Sequence, residues 1–458
     1  MSSKSIYTRL YALASGILLT FFFQTASAQQ SVKPLSLNEA ISLSIQNSKQ
    51  LKVGNAKVDE AVASLKTANE RQLPDFSITG SYLRLTQPNI DLKLQLGNDN
   101  NGNGNGGGTK NETPKVNQAA YGIANLSIPV FSGMMIQAGK ESARYLAAAA
   151  KLDVDQDKEE VIQNTIAAYS NLYKAKQAVY LVQENIKQSS ERVREFTNKE
   201  QNGLLARNDL LKAELQESNY ELALMDAQNS LKIANLNMNV MLGLPDNTLI
   251  EIDSAIFKVN NNIDSRGVTE FEQLAYENRK DAAALGAREK AANAGIKSVK
   301  GEYYPSIAVT GGYIAAYIPN LLTITNAITG GVGLKYNLSS LWKTGSKING
   351  AKAQLAEVQA NEAKLRDGIH LDVFQSYENY VLSHKKMDTY IKAIEQSEEN
   401  YRITKNKHDN NLATTTDLLD ADVANLQAHL NYAYAKADAL VAYNKLLQAA
   451  GILDSNNK

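Results

Sequence analysis

The chain has 458 residues, no cysteine, and 48 basic against 48 acidic side chains. Disulfide staples, thiolate metal sites, thiol nucleophiles and a lipid-modified cysteine are therefore excluded, and no surplus of positive charge points to nucleic acid. After Phe23 no stretch approaches the about 20 apolar residues of a membrane-spanning helix, so any insertion has to use strands whose apolar residues alternate.

Residues 1–28 are predicted to be a secretory signal. Lys4 and Arg9 precede an apolar run from Tyr11 to Phe23, and Ala26-Ser27-Ala28 offers small residues for cleavage before Gln29. Cleavage would leave 46 basic against 48 acidic residues, a net charge of −2. Prolines at 34, 74, 88, 114, 129, 245, 305 and 319 then divide the chain, since each breaks or starts an element. The proline-free tracts 130–244 and 320–458 are rich in Ala, Leu, Gln, Glu and Lys, so most of the protein is expected to be helix.

The first predicted helix runs from Leu37 to Gln72, opened by a capping box of Ser36 and Glu39 and stopped by Pro74. A strand pair follows at about 76–86 and 120–130. Phe76, Ile78, Gly80 and Tyr82 alternate with Ser77, Thr79 and Ser81, and Leu126, Ile128 and Val130 share one face of the partner. Between them lies the Gly-rich stretch Gly97–Lys110, expected to be a surface loop facing the cell exterior. A helix from about Lys140 to Asn202 contains no Gly or Pro and would be about 95 Å long at 1.5 Å per residue. A turn at about 203–209 leads to a return helix, Asp209–Leu242, and residues 245–267 read as a linker.

The order then repeats: helix Thr269–Tyr304, strands at about 306–318 and 328–338, helix Ser346–His408, turn at about 409–416, helix Thr416–Ala450 and a tail, 452–458. Ile307, Val309, Tyr313 and Tyr317 share one face of the third strand, and Val332, Leu334, Tyr336 and Leu338 one face of the fourth. A shift of 231 residues lays Asn47 on Asn278, Pro74 on Pro305, Gly80 on Gly311 and Tyr82 on Tyr313. A shift of 208 lays Tyr169 on Tyr377, Arg194 on Arg402, Asp209 on Asp417 and Gly243 on Gly451. Matches at Pro, Gly, Tyr and Asp are not favoured by helical composition, so residues 29–244 and 268–451 read as tandem copies of one unit.

In the long helix a 3,4 spacing links Leu172, Ala175, Val179, Val182, Ile186, Ser189, Val193 and Phe196; its counterpart carries Tyr380, Ser383, Met387, Tyr390, Ile394, Ser397, Tyr401 and Thr404. The return helix continues it through Leu210, Ala213, Glu217, Tyr220, Leu224 and Ala227, which predicts coiled-coil packing. Small residues such as Ala421, Ala428, Ala435 and Ala442 let rods lie close on both sides, as a ring of helices requires. Four strands cannot close a barrel alone, because small barrels use about eight, so the barrel has to be shared between chains. The fold class is thus mainly α, with duplicated long coiled-coil helices and four strands contributed to a common barrel.

With its signal, duplication, strand pairs and heptad-patterned helices, the chain resembles the TolC-like outer-membrane factors over essentially its whole mature length. The most specific pieces are Asn202–Ala213 and Asn410–Ala421, which resemble the family's helix-turn-helix tips, with Leu35–Ala40 and Ser127–Phe131 beside them. The resemblance implies a homotrimer, with a barrel of about 12 strands in the outer membrane continued by a periplasmic tunnel of about 12 helices. It implies a periplasmic adaptor at the lower end and, through it, an inner-membrane pump or transporter of an efflux or type I secretion system. Gly203, Leu204, Leu205, Asp209, Asn411, Leu412 and Ala413 would form the adaptor-docking tips. Asp417 and Asp420 match the aspartates that ring the family's periplasmic constriction. Phe76, Ile78, Tyr82, Leu126, Ile128, Val130, Ile307, Val309, Tyr313, Leu334, Tyr336 and Leu338 would face outer-membrane lipid. Copy one departs from the pattern with Lys212 where Asp420 stands, and Thr414–Thr416 supply no arginine to tie the tip shut.

No enzyme, cofactor or metal site is expected. His370, His384, His408 and His429 sit singly on helices, no phosphate loop or nucleophile elbow occurs, and the Leu96–Gly108 stretch has a single acid, Asp99, where a calcium repeat needs several. The alternative is a periplasmic adaptor or scaffold built on a coiled-coil hairpin, against which the duplication and the second strand pair both argue.

Overall fold

A computed structural model describes residues 32–86, 116–257, 265–319 and 321–456. The expected signal segment, the Gly97–Lys110 loop and the Leu96–Gly108 stretch lie outside the described residues. In chain order the elements are β1 (Val32–Leu35), α1 (Leu37–Asn47), α2 (Lys49–Glu70), β2 (Asp75–Arg84), β3 (Gln118–Phe131), α3 (Met135–Gln201), α4 (Arg207–Leu242) and β4 (Leu249–Ile252). Then follow α5 (Val268–Asn278), α6 (Lys280–Lys300), β5 (Ser306–Ile318), β6 (Leu322–Lys335), α7 (Ser340–Asp409), α8 (Thr415–Ala449) and α9 (Leu453–Asn456). The long helices α3 and α7 hold 67 and 70 residues. Two compact units emerge, one of Met1–Lys52, Gln156–Arg279 and Gly368–Lys458, the other of Val53–Asp155 and Lys280–Asp367.

The first unit is a helical assembly around an apolar core of Leu37, Ile41, Ile162, Ile166, Tyr169, Met238, Leu242 and Leu447. The segment read as a linker contributes to it. Leu249–Ile252 forms a parallel pair with Val32–Leu35, and Phe257 stacks on Tyr173 with ring centres 3.9 Å apart. The Tyr169 hydroxyl donates to the Leu35 carbonyl at 2.8 Å and accepts from the Asp253 amide at 2.9 Å, which locks this small sheet onto α3. Every residue of the heptad stripes on α3 and α7 is buried or half-buried, as knobs-into-holes packing requires.

The helix expected over Leu37–Gln72 is two helices. Ser36 caps the first by accepting from the Glu39 amide at 3.2 Å, but Ser48 leaves helical geometry with ψ 120 and its hydroxyl accepts from the Leu51 amide to start the second. The copy-two helix expected over Thr269–Tyr304 breaks at the equivalent residue, Arg279, with ψ 128. Tertiary partners favour both breaks over continued helix. The Asn47 side-chain Nδ2 donates to the Leu242 carbonyl at 2.8 Å, and Arg279 reaches Asp372 at 2.8 Å and the Ala449 carbonyl at 3.3 Å.

The second unit contains a four-stranded antiparallel sheet in the order β2-β3-β5-β6. Directly opposed residues share a face, so the register sorts the side chains. Phe76 opposes Leu126, Leu126 opposes Gly311, Ile128 opposes Val309, and Val309 opposes Val332. Ser77, Thr79 and Ser81 oppose Asn125, Ile123 and Tyr121 on the other face. Below the sheet, Ser142 donates to the Ala291 carbonyl, Arg288 pairs with Asp153 at 2.5 Å, and Gly133 and Gly301 approach so closely that a Cβ on Gly133 would lie 2.3 Å from the Gly301 carbonyl oxygen.

Candidate functional site

Two regions can bear function: the apolar sheet face and the two hairpin tips. On the face, Phe76, Ile78, Tyr82, Leu126, Val309, Tyr313, Leu334, Ile328 and Val332 are all exposed, with Ile78 74% and Ile328 83% open. Ile128 and Ile307 join them at register positions, half-buried. A contiguous exposed apolar surface of this kind marks contact with lipid or another protein. Tyr336 and Leu338, expected on this face, lie beyond the end of β6. The chain turns at Asn337, whose side-chain oxygen accepts from the Ser339 hydroxyl at 2.8 Å. Val130 is also displaced, because the register skips it between Pro129 and Phe131, so Phe131 opposes Ile307 and Val130 is the bulged residue. Pro129, which has no N–H to donate, lies beyond Ser127, the last residue of β3 that β2 pairs, so no β2 carbonyl loses a donor to it. The outer edges of β2 and β6 have no strand partner within the described chain.

Both tips close in the same way. At the end of α3, Gly203 has φ 70 and the Leu204 amide donates to the Lys199 carbonyl at 2.8 Å; at the end of α7, Asn411 has φ 58 and the Leu412 amide donates to the Lys407 carbonyl at 2.8 Å. These are left-handed helix ends, which Gly adopts freely and Asn tolerates next best. The motif throws Leu204 and Leu412 outward, 75% and 76% exposed. Leu205 turns inward instead and packs against Phe196, Leu210, Ala213 and Leu418, so it holds the tip together.

The second helix of each hairpin starts differently. Thr414 caps α8 with a full capping box: its hydroxyl accepts from the Asp417 amide at 3.1 Å, and the Asp417 Oδ2 accepts from the Thr414 amide at 2.9 Å. The hydrogen bonds from the Thr414 side chain and backbone hold the Asp417 carboxyl below its ordinary pKa. Asp420 lies one turn on and is exposed, while Ala413 is half-buried. In copy one Ala206 occupies the cap without a side-chain bond, and Asp209 pairs with Lys212 at 3.3 Å. Lys212 also donates to the Thr416 hydroxyl at 3.3 Å, so copy one sets a cation beside the aspartate segment of copy two.

Above the tips lies a buried polar cluster whose charged pair, Arg192 and Asp422, the sequence patterns do not single out. Arg192 of α3 donates to Asp422 of α8 at 2.9 Å and to the Tyr401 hydroxyl of α7 at 3.0 Å, and Tyr220 of α4 donates to the same Asp422 oxygen at 3.0 Å. The two charged side chains are 7% and 2% exposed. Burial opposes the Arg192 charge, but the hydrogen bond and charge of Asp422 outweigh it and the net shift is upward; burial first and Asp422 second push the Tyr220 hydroxyl up. Arg192 and Asp422 each stand one residue off an apolar stripe with opposite charges, the one hint available from sequence. Nearby, His408 stacks on Phe196 at 5.4 Å and faces the Thr415 hydroxyl at 3.3 Å. The remaining histidines meet Glu272, Glu398 and the edge of Tyr380. Among the described residues no group of His, Cys, Asp or Glu is arranged to hold a metal, and no helix is long and apolar enough to cross a membrane.

The family profile described as outer membrane efflux protein matches residues 40–244 and 272–452. No curated protein sequence matches the chain. Among solved structures, the outer membrane protein VceC from Vibrio cholerae is 17% identical with a TM-score of 0.72, covering 91% of this chain and 96% of that one. The CmeC outer membrane channel of Campylobacter jejuni is 16% identical with a TM-score of 0.74, covering 91% and 86%. The open state of the Neisseria gonorrhoeae MtrE outer membrane channel is 16% identical with a TM-score of 0.71, covering 91% and 89%. At these identities the likeness is one of fold.

Proposed function

The chain belongs to the outer membrane efflux protein family and is an efflux channel of the outer membrane, and from that premise we propose how its parts divide the work. Three copies assemble, each giving its four strands to one transmembrane barrel and its long helices to one periplasmic tunnel. The observation that carries this reading is the sheet: one face is apolar across all four strands while the outer edges of β2 and β6 have no strand partner among the described residues. An open edge inside a bilayer leaves backbone groups unpaired at several kcal/mol each, so β2 and β6 need neighbours, and copies of the same chain supply them. Helical surfaces point the same way. Leu211, Leu215, Leu222, Met225, Ile233, Leu236 and Val240 form an exposed apolar stripe on α4 that a second copy would cover.

Residues 1–28 direct export and are removed. Gly203, Leu204, Asn411, Leu412 and Ala413 present the tips to a periplasmic adaptor, which couples the duct to an inner-membrane pump or transporter. Leu205 and Asp209 shape those tips from within. Asp417 and Asp420, in three copies, line the narrow end. Substrates pass without chemical change. Planar-bilayer recording of the purified protein tests the channel, and crosslinking between cysteines placed on β2 and β6 tests the shared barrel. Discrete conductance with a three-chain crosslinked ladder is expected; a monomer without conductance would defeat the reading.

A further inference from the structure

We propose that His408 is a proton-operated latch: when charged, it holds the copy-two hairpin tip packed against copy one and so restricts passage at low pH. This rests on the channel reading above. His408 stands in the last turn of α7 and is 8% exposed. Its ring stacks on Phe196 of α3, and its Nε2 lies 3.3 Å from the hydroxyl of Thr415, the first residue of α8. One side chain therefore touches three helices and joins both copies of the duplication. In copy one the equivalent position is Glu200, so only the second hairpin carries the ring. A cavity of about 440 Å³ between α3 and α7 opens beside it and gives solvent protons a route.

As a neutral group the ring is incompletely satisfied. Its Nδ1 is buried with no hydrogen-bond partner, and the Asp409 Oδ1, at 3.8 Å, is too far for a hydrogen bond but close enough to attract a charge. A protonated ring donates at both nitrogens. Nε2 then donates to Thr415, Nδ1 turns to Asp409, and the cation sits at a helix C-terminus, whose dipole favours positive charge.

The surrounding charges set the sign. On α3, Lys187 is taken by Glu184, Glu191 by Arg194, and Arg192 by Asp422 of α8. At the start of α8, Asp417 is engaged by Thr414, and on α4 Asp209 pairs with Lys212. Glu195 of α3 binds Lys199 at 2.5 Å. That hydrogen bond is the main reason its carboxyl is held below its ordinary pKa; burial opposes, and the charges of Lys405 and His408 add to the pull. Lys405 on α7 opposes a second cation, but Asp409 and Glu195 together outweigh it. The charged ring thus draws α7 towards α3.

Planar-bilayer recording of the full-length protein at about pH 8 and about pH 5, the span over which histidine changes charge, tests the latch. Wild-type conductance is expected to fall about fivefold or more at the lower pH, the small end of couplings between linked sites. His408→Gln keeps a polar group but cannot charge, and its conductance should stay level; His429→Gln, further along α8, should follow the wild type. Wild-type conductance independent of pH, or an unchanged pH dependence in His408→Gln, overturns the latch and leaves the channel reading standing. No conductance at either pH overturns both. Should His408→Gln fail to assemble, the wild type alone decides. Its amide exchange over residues 404–418, corrected for the intrinsic effect of pH, should be slower at the lower pH, and exchange that is equal or faster overturns the proposal.

Discussion

Arg192 and Asp422 come from different copies of the duplication, and their buried 2.9 Å ion pair joins the long helix of the first to the return helix of the second. Removing one partner strands the other charge away from water. Asp422→Ala and Arg192→Ala are each expected to cost about 3–5 kcal/mol, whereas the double replacement Arg192→Met with Asp422→Leu should cost much less. Denaturant midpoints of the detergent-solubilised protein measure this. Single variants as stable as the wild type would show that the pair does not hold these helices.

The tips separate a conformational role from a contact role. A side chain on Gly203 would meet nothing within 4 Å, so Gly203→Ala pays only for its positive φ, about 1–2 kcal/mol, and the protein should still fold. Leu204→Glu combined with Leu412→Glu should abolish export in a susceptibility assay while heat-resistant oligomers persist. Lost oligomers would instead make these leucines part of the fold.

Asp417 and Asp420 are expected to give the channel cation selectivity, since charges confined in a ring are poorly screened. Replacing both by Ala should lower reversal-potential selectivity and weaken block by trivalent cations from the periplasmic side. Thr414→Ala is the control, because it weakens the cap by about 1 kcal/mol while keeping both carboxylates. The lowered Asp417 pKa adds a sign: its contribution to stability is full above the ordinary value of 3.8 and disappears as pH falls through the lower folded value. Selectivity in the double variant equal to that of wild type would make these acids an ordinary solvated helix face.

Tyr169 predicts alkaline behaviour. Burial pushes its hydroxyl up to about 12 from the ordinary 10.0, so its contribution to stability is present below pH 10.0 and is lost as pH rises towards 12. Tyr169→Phe should lose about 1–3 kcal/mol at neutral pH, because the Asp253 amide and Leu35 carbonyl lose their shared partner, and should flatten the decline above pH 10.0. Thermal melts across that range provide the check, and an unchanged alkaline slope in Tyr169→Phe would refute it.

Periodicity made the helices and the sheet face legible. Leu172 to Phe196 on α3 repeats every seven residues because packing demands it, and Phe76 to Tyr82 alternates because the pleat does. The breaks at Ser48 and Arg279 leave no such trace, since each depends on a partner far along the chain, Leu242 for Asn47 and Asp372 for Arg279. Leu204 and Leu205 are identical side chains in adjacent positions, and only the left-handed Gly203 decides which one protrudes. Tyr220 and Tyr401 fall in the heptad stripes, but the Arg192–Asp422 pair they meet was hidden for a similar reason, because the four residues lie on four helices and converge only after folding.

The unpaired edges of β2 and β6 have a genetic consequence. If each barrel is completed by neighbours, a subunit never fails alone. In a cell expressing wild-type and assembly-competent but non-conducting chains equally, random mixing leaves only about one in eight trimers wholly wild type. Lesions at the tips, which spare assembly, should therefore behave as dominant negatives, while lesions that unfold the sheet should be recessive, because such chains never enter the trimer.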